Sequence, residues 1–149
     1  MGDVLRFSEL LKSFVQNFCS FHDLHQSDLE RSLHLFVLGL LAALSKEYLI
    51  DSNLKTRKGR CDIMLCPHST SSKHLNGIII EFKKKNKKEL TSLADEALLQ
   101  IKERDYLSRF HKLRYKGPLL CYGIASYKKE LFVKIETLDS HGVRVSSSV

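Results

Sequence analysis

The sequence predicts an α/β domain built around a mixed sheet, and three observations carry this. Apolar periodicity switches from helical to alternating and back, giving the order α-α-β-β-β-α-β-β. Two strand-like runs, 61–66 and 77–84, are separated by a polar loop and suggest an antiparallel hairpin. A long amphipathic stretch between the buried runs 77–84 and 119–125 implies a right-handed parallel crossover, so both kinds of pairing share one sheet. At 149 residues the chain reads as one domain, 1–149, long enough to bury a core without staples.

The elements follow in order. Apolar residues at 7, 10, 11, 14, 15 and 18 form the stripe of an N-terminal helix over 7–21. After a polar break at 22–26, Ser27 is the N-cap of a second helix and Glu30 completes its capping box. This helix runs to about 46 and is apolar over most of its girth, so burial is expected. EYLIDSN (47–53) reads as a strand, LKTRKGR (54–60) as a basic turn and CDIMLC (61–66) as a strand ended by Pro67. The loop 67–76 leads into a third strand, 77–84. Apolar positions 90, 93, 94, 97, 98, 101, 107 and 110 predict one helix over 89–110. Gly117 and Pro118 precede LLCYGIA (119–125), and a YKKE turn leads to a fifth strand, 131–135. The core is therefore about 27–136, with 1–26 an appended helix and 140–149 a flexible tail ending Ser-Ser-Ser-Val.

A net charge of +7 and a pI of about 9.3 favour an acidic partner, of which nucleic acid is the commonest. A merely basic protein is the plain alternative. The longest apolar run, 33–44, is too short to span a bilayer. MGDVLRFSELLKSF lacks a cleavage site of small residues, so no secretory signal is expected, and Arg6 argues against myristoylation of Gly2. Cys19, Cys61, Cys66 and Cys121 are not spaced like a disulfide scaffold, which points to a reducing, cytoplasmic setting. Cys61 and Cys66 are five apart on one strand; alternation points them to opposite faces and argues against zinc with His68 and His74.

The chemistry-bearing residues sit on the second and third strands. Alternation in GIIIEFKKK puts Ile78, Ile80 and Phe82 on one face, with Ile79, Glu81 and Lys83 on the other. Asp62 is an acid in the apolar context of CDIMLC, and pairing of the two strands makes it a neighbour of Glu81. Two half-buried carboxylates repel unless a cation holds them, and oxygen ligands suit Mg²⁺ or Mn²⁺. Such an ion polarises phosphate and activates water, and Lys83 beside it would orient that water or neutralise developing charge. Taken alone, Asp62 and the Glu81–Lys83 pair read rather as solvated charges at strand ends.

GRCDIMLCP, GIIIEFKKK and ADEALLQIKERDY together resemble the PD-(D/E)xK nuclease superfamily. More narrowly, they resemble the nuclease domain at the C-terminus of bacterial proteins whose N-terminal part is AAA-ATPase-like. The resemblance runs over about 5–136 and includes ERSLHLFVLGLL and LCYGIASYKKELFVKI. It implies a restriction-endonuclease-like αβββαβ core, a mixed central sheet flanked by helices, plus the N-terminal helix. It makes Asp62 and Glu81 the metal-binding carboxylates, the Phe82 carbonyl a third ligand, Lys83 the catalytic lysine and Gln100 a glutamine beside the site.

Glu30 and His34 lie one helical turn apart, and RecB-type relatives imply that one of them joins the metal; a helix cap and a core histidine are the plain readings. Lys58, Arg60, Lys84, Lys85, Lys87 and Lys88 either grip phosphate or form a solvated rim. Cys61 stands where the superfamily's name has proline, and the ATPase-like domain is not in this sequence.

The implied activity is a Mg²⁺-dependent deoxyribonuclease using one or two metal ions, Mn²⁺ substituting. Metal-activated water attacks in line and leaves a 5′-phosphate. DNA is the expected partner, RNA stays open, and a homodimer fits the superfamily's habit of cutting two strands. The rivals are an inactive nuclease-fold module that binds nucleic acid and a domain that docks a protein partner.

Overall fold

The computed structural model describes residues 9–13, 16–17, 26–56, 58–69, 75–84, 89–127 and 130–148. Helix α1 (Gln26–Ala42) is followed by β1 (Tyr48–Thr56), β2 (Gly59–Pro67) and β3 (Gly77–Lys84). Then come α2 (Leu90–Glu103), α3 (Leu107–Lys112), β4 (Leu119–Tyr127), β5 (Glu130–Leu138) and β6 (Arg144–Ser148). The six strands lie in sequence order in one sheet. Among the described strands only β3 and β4 pair in parallel, being joined by a helical crossover, and every other neighbour there is antiparallel. The sheet is mixed, as the sequence implies, and no described helix is long and apolar enough to cross a membrane.

Two apolar layers sandwich the sheet. On one face Ile63, Leu65, Ile80, Phe82, Tyr122 and Ile124 meet Leu33, Val37 and Leu41 of α1, joined by Leu11. On the other, Met64, Ile79 and Cys121 meet Leu98 and Ile101 of α2, Tyr106 and Phe110. Each fully buried aliphatic side chain contributes about 1.5–3 kcal/mol, so the three at i, i+4 and i+8 suffice to fix α1. The rest of that helix is less buried than its composition suggests: Leu35 and Leu40 are 59% and 42% exposed. Against β4, α2 comes so close at Gly123 that a Cβ there would lie 2.4 Å from the Ala94 carbonyl oxygen.

The structure departs from the sequence expectation at five places. The basic turn expected over 54–60 is shorter, because β1 runs to Thr56 and β2 starts at Gly59. The second helix stops at Ala42 rather than about 46, because its chain turns into β1 through bonds such as Leu44 N to Leu41 O at 2.8 Å. The helix over 89–110 is two helices, broken where Asp105 takes a left-handed φ of 54°. The tail expected to be flexible forms β6, whose ladder on β5 runs from Ile135↔Ser148 to Leu138↔Arg144. Arg144 there lies 3.6 Å from Glu136, which Lys102 also contacts at 2.6 Å. Finally, Cys61 and Cys66 pack in the same layer, not on opposite faces. Alternation breaks beside Asp62, since Ile63 and Leu65 face α1 while Cys61 lies with Met64. Burial pushes the Cys61 thiol up and that of Cys66 up to about 11.

Candidate active site

The break at Asp62 is where the site forms. β2 and β3 pair through Ile63↔Ile80, Met64↔Ile79 and Leu65↔Ile78, and there the ladder ends. β3 keeps its β4 partner as far as Lys84↔Ser126. The backbone groups released on the β2 side need new partners, and the two carboxylates supply them. The Asp62 N–H donates to Glu81 Oε2 at 3.0 Å, and the Phe82 N–H donates to Asp62 Oδ2 at 2.8 Å. Because the N–H and C=O of one strand residue point the same way, the Phe82 carbonyl also faces the Asp62 side.

Glu81 is closed in. It is 0% exposed, and its Oε1 accepts from the Gln100 amide and from the Tyr106 hydroxyl, the latter at 2.9 Å. The Gln100 carbonyl oxygen in turn accepts from the Lys83 ammonium. Thus one amide ties the lysine to the carboxylate, on the α2 side of the sheet. Burial first, and the Asp62 charge second, push the Glu81 carboxyl up to about 7. The Tyr106 hydroxyl also lies 2.7 Å from the Arg60 carbonyl oxygen, so it links β2, β3 and the α2–α3 junction. Burial, then the charge of Glu81, raises the Tyr106 hydroxyl above its ordinary range. Sequence reasoning assigned Tyr106 no role, although the stretch ADEALLQIKERDY ends on it.

Asp62 is open by contrast. It is half-buried and lines a cavity of about 550 Å³ with Arg31, His34, Leu35, Ser52, Asn53 and Lys84. His34 Nε2 lies 2.8 Å from Ser52 Oγ, and its ring centre is 5.6 Å from that of Phe82. Burial lowers the His34 pKa, with the Asp62 charge acting in the opposite direction. The remaining candidates divide. Lys58 on the β1–β2 turn and Arg60 at the start of β2 are exposed and do not line this cavity. Lys85, Lys87, Lys88 and the Glu30 side chain lie outside the described residues.

Among the described residues no group of three or more His, Cys, Asp or Glu is placed to hold a metal ion. The groups that could hold a cation here are instead the Asp62 and Glu81 carboxylates and the Phe82 carbonyl, all hard oxygen atoms. Glu81 uses three of a carboxylate's roughly four acceptor positions, and Asp62 faces the cavity. That set fits a hard divalent cation that takes its other ligands from water and substrate.

No curated protein and no solved structure matches the chain. A family model described as the PD-(D/E)XK nuclease superfamily matches residues 28–136, from the start of α1 almost to the end of β5. The match covers Asp62, Glu81, Lys83 and Gln100 and well over half of the sequence, and the chain belongs to the PD-(D/E)XK nuclease superfamily.

Proposed function

We propose that the protein hydrolyses phosphodiester bonds in DNA with a divalent cation, Mg²⁺ by preference and Mn²⁺ as substitute. The observation that supports this best is the mutual hold of Asp62 and Glu81 where β2 and β3 part, with Lys83 tied to the same carboxylate through Gln100. Asp62, Glu81 and the Phe82 carbonyl would hold the cation, which when bound polarises a phosphate oxygen and lowers the pKa of water. The Lys83 ammonium compensates charge developing on the phosphate or orients the attacking water. Gln100 fixes Lys83 and Glu81 at once, since its amide donates to one and its carbonyl accepts from the other. Tyr106 acts through Glu81 as a positioning residue. The formal charge of +7 supports a polyanionic substrate. In-line attack would leave a 5′-phosphate, and cutting both strands of a duplex would take a second copy of the chain. A further partner would be an ATPase-like domain, as in the relatives the sequence resembles.

The test is a cleavage panel of linear, supercoiled and single-stranded DNA plus RNA, at low salt with Mg²⁺ or Mn²⁺. Wild type should cut DNA, and Lys83→Ala should be slower by about 100-fold or more. Intact DNA throughout the panel with wild-type protein overturns the proposal.

The closure around Glu81 favours a second reading, a nuclease fold that binds nucleic acid or a protein and cuts nothing. It predicts no Mn²⁺ binding and DNA affinity that falls steeply with salt, with Asp62→Ala acting only through charge.

A further inference from the structure

The two carboxylates face different surroundings, and that difference gives the substrate a direction of approach. Glu81 is sealed by Gln100 and Tyr106 on the α2 side, whereas Asp62 opens into the cavity under α1. That cavity carries two cations, Arg31 from α1 and Lys84 from the end of β3, against a single acid, Asp62. Among the described residues neither Arg31 nor Lys84 has an ion-pair partner. Its floor is β1, where Asn53 takes a left-handed φ of 53° within the strand. The β1–β2 register passes from Ser52↔Ile63 to Leu54↔Cys61 and skips the pair between them, Asn53 with Asp62. Both strands are therefore irregular at the same level. The Asn53 amide donates to Ser52 Oγ at 3.4 Å, and the same oxygen pairs with His34. Among the described residues the second amide hydrogen of Asn53 meets no acceptor, which leaves it for a ligand. At about 550 Å³ the space takes a sugar-phosphate unit rather than a lone ion.

We propose that this cavity is a phosphate subsite, in which Arg31 and Lys84 grip the phosphodiester next to the one being cut and the Asn53 amide donates a further hydrogen bond to it. The inference rests on the nucleic-acid reading above and deepens it. The strand enters on the α1 side, and the exposed Lys58 and Arg60 are secondary. Left-handed backbone held at a site is the kind of strain a ligand contact repays, and asparagine tolerates it better than most residues.

The experiment is binding of a fluorescent single-stranded DNA oligonucleotide without divalent cation, so that nothing is cut, across a salt series. Two double variants remove the same charge: Arg31→Ala with Lys84→Ala, and Lys58→Ala with Arg60→Ala. The first should weaken binding about 10-fold at low salt and reduce the log–log salt slope by about 1, and the second should do less. Asn53→Gly keeps the left-handed backbone and removes only the amide. It should weaken binding about 3-fold, as the loss of one hydrogen bond implies. Equal losses in the two double variants, with Asn53→Gly binding like wild type, overturn the subsite. Cleavage separates this from the parent proposal. Wild type that binds in this pattern but never cuts leaves the subsite standing, and wild type that cuts while the double variants bind alike removes the subsite alone.

Discussion

The same two strands behave differently at their two ends. Where Ile63, Met64 and Leu65 pair with Ile78, Ile79 and Ile80, backbone satisfies backbone, and every one of these side chains except the half-buried Ile78 is sealed in core. One residue further, backbone N–H groups are satisfied by carboxylates: Asp62 takes the Phe82 N–H and Glu81 takes that of Asp62. The paired end uses apolar burial for stability. The parted end holds two carboxylates at close quarters, where burial first and the Asp62 charge second lift Glu81 to about 7. A parted ladder is thus the device that brings two carboxylates together on strands whose neighbours are core.

Adjacent residues give the sharpest way to break that comparison. Ile63→Ala should lower folding stability by about 2–5 kcal/mol, the usual loss for truncating a fully buried isoleucine, while the folded fraction keeps wild-type cleavage per molecule. Asp62→Asn should do the reverse. Its side-chain oxygen still accepts from Phe82, so stability holds, but cleavage falls by about 100- to 1,000-fold and Mn²⁺ binding is lost. Denaturant melts and single-turnover cleavage, run on both variants, check this. A stable but inactive Ile63→Ala, or an unfolded Asp62→Asn, removes the distinction between the two ends.

How much of this was legible in the sequence depends on how local the cause was. The alternation of Ile78, Ile80 and Phe82 against Ile79, Glu81 and Lys83 is a property of one strand and appears as expected. Gln100 was singled out by the family resemblance rather than by helical phase, and it reaches Glu81 and Lys83. Tyr106 was missed because phase misleads there. In an unbroken helix at about 100° per residue, six residues past Gln100 points well away from the site. The left-handed turn at Asp105 swings Tyr106 back, and nothing in ERDY announces that turn. The facing of Cys61 and the strand β6 were missed for a related reason. The first depends on a break in alternation that arises only between strands, and the second on pairing between RVSSS and β5.

The next prediction concerns charge at the parted end without metal. Glu81 titrates at about 7 when folded, against an ordinary 4.5. The folded protein therefore holds this proton more tightly than the unfolded chain does. Its contribution to stability is complete below pH about 4.5 and is lost as the pH rises through about 7. Tm of the metal-free protein should fall across that window, Glu81→Gln should flatten the fall, and Mg²⁺ or Mn²⁺ should restore Tm at the alkaline end. A Tm profile in Glu81→Gln identical to wild type would show that Glu81 does not feel the burial described. Asp62→Asn should narrow the window from above, because the Asp62 charge is the second cause of the shift.

Tyr106→Phe is the smallest change and separates positioning from simple packing. It removes one oxygen that meets Glu81 Oε1 and the Arg60 carbonyl, and leaves the ring in the core with Phe110 and Ile101. The stability loss should be about 1 kcal/mol, typical of one hydrogen bond. A packing role stops there. A positioning role goes further, because the Tyr106 hydrogen bond lowers the Glu81 pKa. Without it, the midpoint of the pH-dependent stability loss should move up, opposite to the direction produced by Asp62→Asn. Cleavage at neutral pH should fall and recover partly as the pH is raised. If the midpoint stays where wild type has it and cleavage drops only with the folded fraction, Tyr106 is core and no more, and the closed side of the site reduces to Gln100.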